Sequence, residues 1–307
     1  MIDKSVPKKG LQHFRSISDL CKALGVSSPR HPLIAVIINH EELKPDFPLR
    51  YLLHDFYMIS YKSTMNGKLK YGQGYYDFDE GGLIFVAPNQ PLSVVDDSDP
   101  CQGYSLFFHP DIISGCPLAK SINKYGFFSY NINEALHLSE KERQKILHLF
   151  EEIREELETS IDDISQDLVV SYIEVLLNYS NRYYKRQFIT RKTVSSPIID
   201  QFETLLNTYY AHEMGLQNGI PTVKYFSDQL NVSSGYLSDL LRNLTGLNTQ
   251  QHIHTKLIEA AKQKLSTTAL TAAEIAYELG FEHPQSFNKL FKSKTRMTPL
   301  QFREGIN

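Results

Sequence analysis

The sequence predicts an α+β chain of more than one domain. An N-terminal antiparallel β region comes first, then an amphipathic helical pair, then an all-α domain with two helix-turn-helix motifs. Three observations predict this. The length of 307 residues suggests roughly two domains, at about 100–200 residues each. Short aromatic and β-branched runs separated by turn clusters fill the chain to about residue 110, and helical periodicity takes over near residue 138. Finally, residues 223–245 and 270–293 follow one helix–turn–helix plan twice.

The expected strands are Ile34 to Ile38, Leu52 to Tyr61, Leu83 to Val86 and Tyr104 to Phe108. Between them lie Asn66-Gly67, Gly72-Gln73-Gly74, Glu80-Gly81-Gly82, Pro88-Asn89-Gln90-Pro91 and Asp96 to Pro100, all rich in turn formers. Strands at this spacing with no helix among them suggest a small antiparallel barrel or sandwich. Ser139 with Glu142 is a capping-box signature. It opens a helix whose apolar stripe is Ile146, Leu149, Phe150, Ile153 and Leu157. A second helix runs from about Gln166 to Tyr184 on Val169, Val170, Ile173, Leu176 and Leu177. This pair is expected to form a dimer surface or a relay, and Thr190 to Pro197 is the linker candidate. The expected division is thus 1–137, 138–189, a linker over 190–197, and 198–307.

Composition narrows the function classes. Charged residues make up 22% and hydrophobic residues 41%, enough apolar content for real cores. The longest apolar run, Leu33 to Ile38, is strand-sized, and Met1 to Gly10 lacks the apolar stretch of a signal peptide, so no membrane partner is expected. Cys21, Cys101 and Cys116 are odd in number and lack CxxC spacing, which points to a reducing, cytoplasmic setting. The net charge of −3 divides into 22 Lys/Arg against 25 Asp/Glu over residues 1–196 and 10 of each over 197–307. Basic residues nonetheless cluster locally: Lys289, Lys292, Lys294, Arg296 and Arg303 share a stretch without acids.

In the first helix-turn-helix, Phe226 and Leu230 precede a turn at Asn231-Val232, and Ser233 or Ser234 caps a helix burying Leu237, Leu240, Leu241 and Leu244. In the second, Thr271 and Glu274 form a capping box, and Ile275 and Leu279 face inward. Gly280 suits the left-handed position, and Pro284 opens a helix burying Phe287, Leu290 and Phe291. An apolar helix from about Thr249 to Leu265 joins the two. A helix of this kind fits the ~12 Å major groove of B-DNA, and two on one scaffold can enter successive segments of the groove. With the buried positions removed, Gly235, Ser238, Asp239 and Arg242 point outward from the first helix. Gln285, Ser286, Asn288, Lys289 and Lys292 point outward from the second. Gln285 and Asn288 have the amide geometry for adenine and Lys289 can donate to guanine, while Arg242 and Lys292 suit phosphates. Asp239 can accept from a cytosine amino group or repel phosphates. The blander alternative is that all of these are solvated polar residues.

These segments resemble the AraC/XylS-type DNA-binding domain of bacterial transcription regulators over residues 223–303. The resemblance is carried by Tyr236 to Arg242, Thr245-Gly246, Glu274 to Phe281, Ser286-Phe287, Phe291-Lys292, Thr298-Pro299 and Phe302-Arg303. The sequence departs from that pattern at Asp239 and Lys256, where Arg is frequent, and at Arg296, where Gly is usual. More loosely, the N-terminal half is similar to the cupin-like sensor domains of such regulators, through Gly82, five residues, then Pro88. Ser93 stands where the cupin motif has its histidine, and no His-x-His lies upstream. His40, His54 and His109 therefore read as core or surface residues, and no metal or cofactor is expected.

The resemblance implies double-stranded DNA as partner, RNA polymerase and a small-molecule effector as further partners, and a homodimer. For the effector, aromatics concentrated on a few strands suggest an apolar pocket with phenolic tips, with Tyr51, Tyr57, Tyr61, Tyr75 and Phe85 as the candidate lining. Ordinary strand core is the competing reading, since aromatics favour strands anyway. Two other functions compete with this one. A cupin-type enzyme with a helical appendage would need clustered metal ligands or an activated nucleophile, and no such local motif occurs. A protein-interaction adaptor that has lost DNA binding is favoured only by the neutral C-terminal charge and Asp239.

Overall fold

The computed structural model describes residues 11–39, 51–63, 65–71, 74–78, 81–93, 102–131, 134–159, 163–190, 192–212 and 214–305. The chain divides into two compact units, Met1–Gln187 and Phe188–Asn307. No helix among the described residues is long and apolar enough to cross a membrane.

In the first unit, β1 (Leu11–Phe14) leads into α1 (Ile17–Ala23), which Ser16 caps by accepting from the Asp19 N–H at 3.1 Å. The remaining strands are β2 (Ile34–Asn39), β3 (Tyr51–His54), β4 (Tyr57–Lys62), β5 (Met65–Tyr71), β6 (Gly74–Phe78), β7 (Gly82–Val86), β8 (Leu92–Ser93), β9 (Gly103–Phe108) and β10 (Leu136–His137). They form a three-stranded sheet ordered β1-β3-β8, a five-stranded sheet ordered β10-β7-β4-β9-β2, and the β5-β6 hairpin. Every pairing is antiparallel except β1 with β3. The two larger sheets share a core: Phe14, Leu52 and Leu92 meet Ile37, Met58, Ile84, Val86 and Phe107, with Ile17 and Leu20 of α1 packed in. Among the described residues the two sheets face each other across this core, within the antiparallel barrel or sandwich that the sequence predicts.

Two expectations about the strands need correction. Leu52 to Tyr61 is not one strand. It breaks at Asp55-Phe56, where the chain crosses from the smaller sheet to the larger and buries Phe56 completely. Asn66-Gly67 lies within β5 rather than in a turn, and the extra backbone is absorbed as a register shift against β6 between Met65 and Leu69.

The five-stranded sheet is covered on both faces, which is why its strands read as unbroken apolar runs. Its second face is closed by α2 (Pro117–Ser121), by the short turns around it, and by α3 (Glu140–Glu158) and α4 (Asp163–Thr190). The 110–130 segment has too many breakers (Pro110, Gly115, Pro117, Gly126) to show a period, yet it buries Ile112, Ile113, Leu118, Ile122, Phe127 and Phe128. Glu142 closes on the Ser139 N–H at 2.8 Å as the capping-box signature requires, and Ile146, Phe150 and Ile153 are fully buried.

The second unit is all helical. It comprises α5 (Lys192–Ala211), α6 (Gly215–Asn218), α7 (Val223–Leu230), α8 (Ser234–Thr245), α9 (Thr249–Thr267), α10 (Ala272–Glu278), α11 (Pro284–Thr295) and α12 (Pro299–Glu304). The expected linker is therefore helical from Lys192 onward, with Pro197 inside α5. Pro197 removes one backbone donor from the second turn of this helix. Phe202 of α5 packs edge-on against Phe226 at 5.2 Å, which draws α5 into the core of this unit.

Candidate nucleic-acid interface

Each helix-turn-helix is closed by the same local geometry. Asn231 takes left-handed φ 54°, and the Val232 N–H returns to the Ser227 carbonyl at 3.0 Å. Gly280 takes φ 92°, and the Phe281 N–H returns to the Ala276 carbonyl at 3.0 Å. The Ser233 hydroxyl accepts from the Tyr236 N–H at 3.1 Å, so Ser233 rather than Ser234 is the cap of α8. At α10, Glu274 accepts from both the N–H and the hydroxyl of Thr271, and these bonds hold its carboxyl below the usual range. Pro284 occupies the first turn of α11.

The inward faces then fix which residues point out. Leu237, Leu240 and Leu241 of α8, and Phe287 and Phe291 of α11, are fully buried. The second motif's core adds Leu257, Ala261, Ile275 and Leu279. The opposite arc of α8 carries Gly235, Ser238, Asp239 and Arg242; that of α11 carries Gln285, Ser286, Asn288, Lys289 and Lys292, all five exposed. The structure thus brings each predicted set onto one helix face.

The first set is the more constrained. Ser238 and Thr249 share a hydroxyl–hydroxyl bond at 3.1 Å, which ties part of the reading face to the start of α9. Arg242 donates to Asp239 at 2.7 Å, so the helix's cation and anion are paired with each other. The second set carries no recorded ion pair among the described residues.

This surface has further neighbours. Arg296, which the sequence placed in the basic cluster but not on the reading face, is exposed and left-handed at φ 64° and extends the outward arc of α11 beyond Lys292. On α9, Gln250 and His254 are bonded at 2.9 Å. Burial, then the charge of Lys294, hold the His254 ring below its ordinary pKa. The only sequence signal for that pair is their i, i+4 spacing. Also unread was the clasp formed by α6: a Cβ at Gly215 would lie 2.8 Å from the Glu278 carbonyl oxygen, and one at Gly280 would lie 2.4 Å from the Gly219 carbonyl carbon.

The expected effector lining is corrected by the strand alternation. Tyr57, Tyr61 and Phe85 point to the helix-covered face of the large sheet, not into the core between the two sheets. Tyr57 stacks on Phe108 at 4.9 Å; Phe85 packs against Phe127 at 4.3 Å and against Tyr184; Tyr61 is 2% exposed. They are packed core. The side chains of Tyr51 and Tyr75 lie outside the described residues. The inner face instead holds buried polar groups: Ser60 and Ser105, bonded at 2.9 Å, which the sequence did not single out, and the core histidine His54, whose Nδ1 donates to the Phe56 carbonyl at 2.6 Å. Among the described residues, no group of three or more His, Cys, Asp or Glu side chains could hold a metal. His109 caps the turn at Pro110, accepting from the Asp111 N–H at 3.3 Å, while His40 lies outside the described residues.

Comparison with known proteins matches residues 226–305 to a helix-turn-helix domain family and residues 45–171 to the AraC-like ligand binding domain family. The chain is 27% identical over 139 residues to an uncharacterized HTH-type transcriptional regulator of Staphylococcus aureus, covering 45% of this chain and 17% of that protein. It is 27% identical over 113 residues to the HTH-type transcriptional activator RhaR of Enterobacter sp. (strain 638), covering 37% of this chain and 40% of that protein. The chain therefore spans well under two thirds of the length of these relatives. Among solved structures, it is 32% identical to the C-terminal domain of the two-component response regulator yesN from Fusobacterium nucleatum. That match covers 34% of this chain and 95% of that one, at a TM-score of 0.30.

Proposed function

We propose that this chain, which matches a helix-turn-helix domain over residues 226–305 and an AraC-like ligand binding domain over residues 45–171, is a sequence-specific, effector-responsive transcription regulator of the AraC/XylS type. Duplex DNA is its partner, read by α8 and α11 in adjacent major-groove segments. The observation carrying this reading is the presence, on one compact helical unit, of two equivalently capped helices. Each turns a polar face outward while its apolar face is sealed in core. Gln285, Ser286, Asn288 and Lys289 are the base-reading residues of the second helix; Gly235, Ser238 and Asp239 are those of the first. Lys292 positions phosphates, while Arg242, the phosphate candidate of the first helix, is held by Asp239.

The effector is assigned to the first unit, where residues 45–171 match the AraC-like ligand binding domain family. Homodimerisation is assigned to α4, whose Ile164, Leu168 and Val175 stay exposed along one side. RNA polymerase is the further partner of such a regulator, the cytosol is its compartment, and no catalytic step is assigned to it.

The test is binding of the full chain to duplexes enriched by in vitro selection, followed by anisotropy. Lys289→Ala and Gln285→Ala should each relax preference at particular base pairs, by roughly 1–3 kcal/mol. Lys292→Ala should weaken all duplexes alike and flatten the salt dependence. If all three variants bind as the wild type does, the groove assignment falls. The adaptor reading, which the Asp239–Arg242 pair favours, predicts instead that no duplex is enriched.

A further inference from the structure

Helices α8 and α11 are both 12 residues long and begin fifty positions apart, so each side chain of one has a counterpart in the other. The correspondence is physical as well as numerical. Leu237 and Leu241 answer Phe287 and Phe291, all completely buried. The Thr245 and Thr295 hydroxyls donate to the carbonyls four residues back, both at 2.8 Å. Each helix ends in a left-handed residue, Gly246 or Arg296. In this frame Asp239 and Lys289 hold the same place on the outward face, and their charges are opposite.

We infer that this shared position gives the two DNA segments opposite base preferences: the cytosine amino group opposite Asp239, and the guanine O6/N7 edge opposite Lys289. The inference rests on the DNA-binding reading above and deepens it. A carboxylate only accepts hydrogen bonds and an ammonium only donates them. In the major groove cytosine presents a donor and guanine presents acceptors. Adenine also offers an amino group, but the lone pair of its neighbouring N7 repels a carboxylate. Thymine offers no donor. Asp239 further stands on a surface that must approach phosphates, so on any duplex lacking the matching donor it is repulsive and unpaired with a base. It therefore acts chiefly by rejecting sequences, which is one of the two physical routes to specificity. Arg242, bonded to Asp239 at 2.7 Å one turn further along, keeps that carboxylate oriented across the helix face. Lys289 faces solvent, and no carboxylate is recorded against it among the described residues.

The experiment is selection of duplexes by the full chain, wild type and Asp239→Asn, with Asp239→Lys as the second variant. Far-ultraviolet circular dichroism and thermal midpoints establish that each is folded. The wild type should enrich a two-segment site with a cytosine at one position of the segment that Lys289→Ala leaves untouched. Replacing that base pair should cost the wild type roughly tenfold in affinity. Asp239→Asn should bind the replaced duplex at least tenfold better than the wild type does, with the other segment unchanged, and Asp239→Lys should shift the preferred base to guanine. Wild-type enrichment of a site whose base preferences survive in both Asp239 variants overturns this inference alone. Failure of the wild type to enrich any duplex overturns the DNA-binding reading, and this inference with it.

Discussion

A methyl group at position 280 would sit 2.4 Å from the Gly219 carbonyl carbon and 2.8 Å from the Ile220 nitrogen, on a backbone with φ of 92°. Crowding and conformation thus demand glycine there independently. Gly280→Ala should destabilise the C-terminal unit by roughly 1–3 kcal/mol, read as a lower denaturation midpoint, and an unchanged midpoint would mean that the α6 clasp is not formed in solution. His54 poses a different constraint. Its ring stacks on Phe56 at 4.7 Å, Nδ1 bonds to a carbonyl, and Nε2 has no recorded partner among the described residues. Burial holds its pKa below the ordinary imidazole value; the Phe56 carbonyl and Asp55 pull it back up, and His13 opposes them. The folded chain thus takes up the imidazole proton at lower pH than the unfolded chain, whose ordinary value is about 6.5. The stability this contributes is complete above that pH and is lost as pH falls towards the lower folded value, at up to about 1.4 kcal/mol per pH unit. Denaturant titrations between pH 7.5 and pH 5, as assay conditions, should show that loss, and His54→Gln should flatten it.

At the scale of the element, the two reading helices differ most at their ends. Gly246 supplies the left-handed exit of α8 without cost, but Arg296 makes the same exit from α11 at φ 64° with a full side chain. Arg296→Gly should therefore stabilise the C-terminal unit by about 1 kcal/mol, measurable by thermal denaturation. A loss of stability would show that the arginine side chain holds the turn through contacts of its own. These ends also show what could be read without coordinates. Capping boxes, Pro284 and Gly280 are local signals with a fixed spacing, so the helix-turn-helix units and their outward residues followed from the sequence directly. The aromatic pocket did not. Tyr57, Tyr61 and Phe85 lie in a sheet covered on both faces, where alternation no longer marks an outside, and the helices that cover them are distant in sequence. The α6 clasp was equally hidden, because Gly215 and Gly219 are explained only by what touches them.

For the whole molecule, charge must reconcile a net −3 with the polyanionic partner proposed above. The C-terminal unit does not attract DNA as a polycation, since residues 197–307 carry as many acids as bases. Four of its cations are also committed to carboxylates: Lys224 to Asp228, Arg242 to Asp239, Lys256 to Glu259 and Lys264 to Glu278. Two more are held elsewhere, Arg303 by the Leu265 carbonyl and Lys262 over the Phe302 ring. Within residues 197–307 the cations left to meet phosphates are those of α11 and its exit: Lys289, Lys292, Lys294 and Arg296. If Lys289 reads a base, about three phosphates are neutralised by each bound chain. The logarithm of affinity should then fall with the logarithm of salt at a slope near −2.7 per chain, against roughly −5 to −9 for a protein contacting 6–10 phosphates. Anisotropy titrations across a salt series, with stoichiometry fixed by sedimentation, measure this directly. A slope near −2.7 per chain places the electrostatic anchor on α11 and leaves α8 to discriminate. A slope twice as steep per chain would mean that the paired cations of the first motif open onto phosphates when DNA binds, and the asymmetry between the two helices would not survive in the complex.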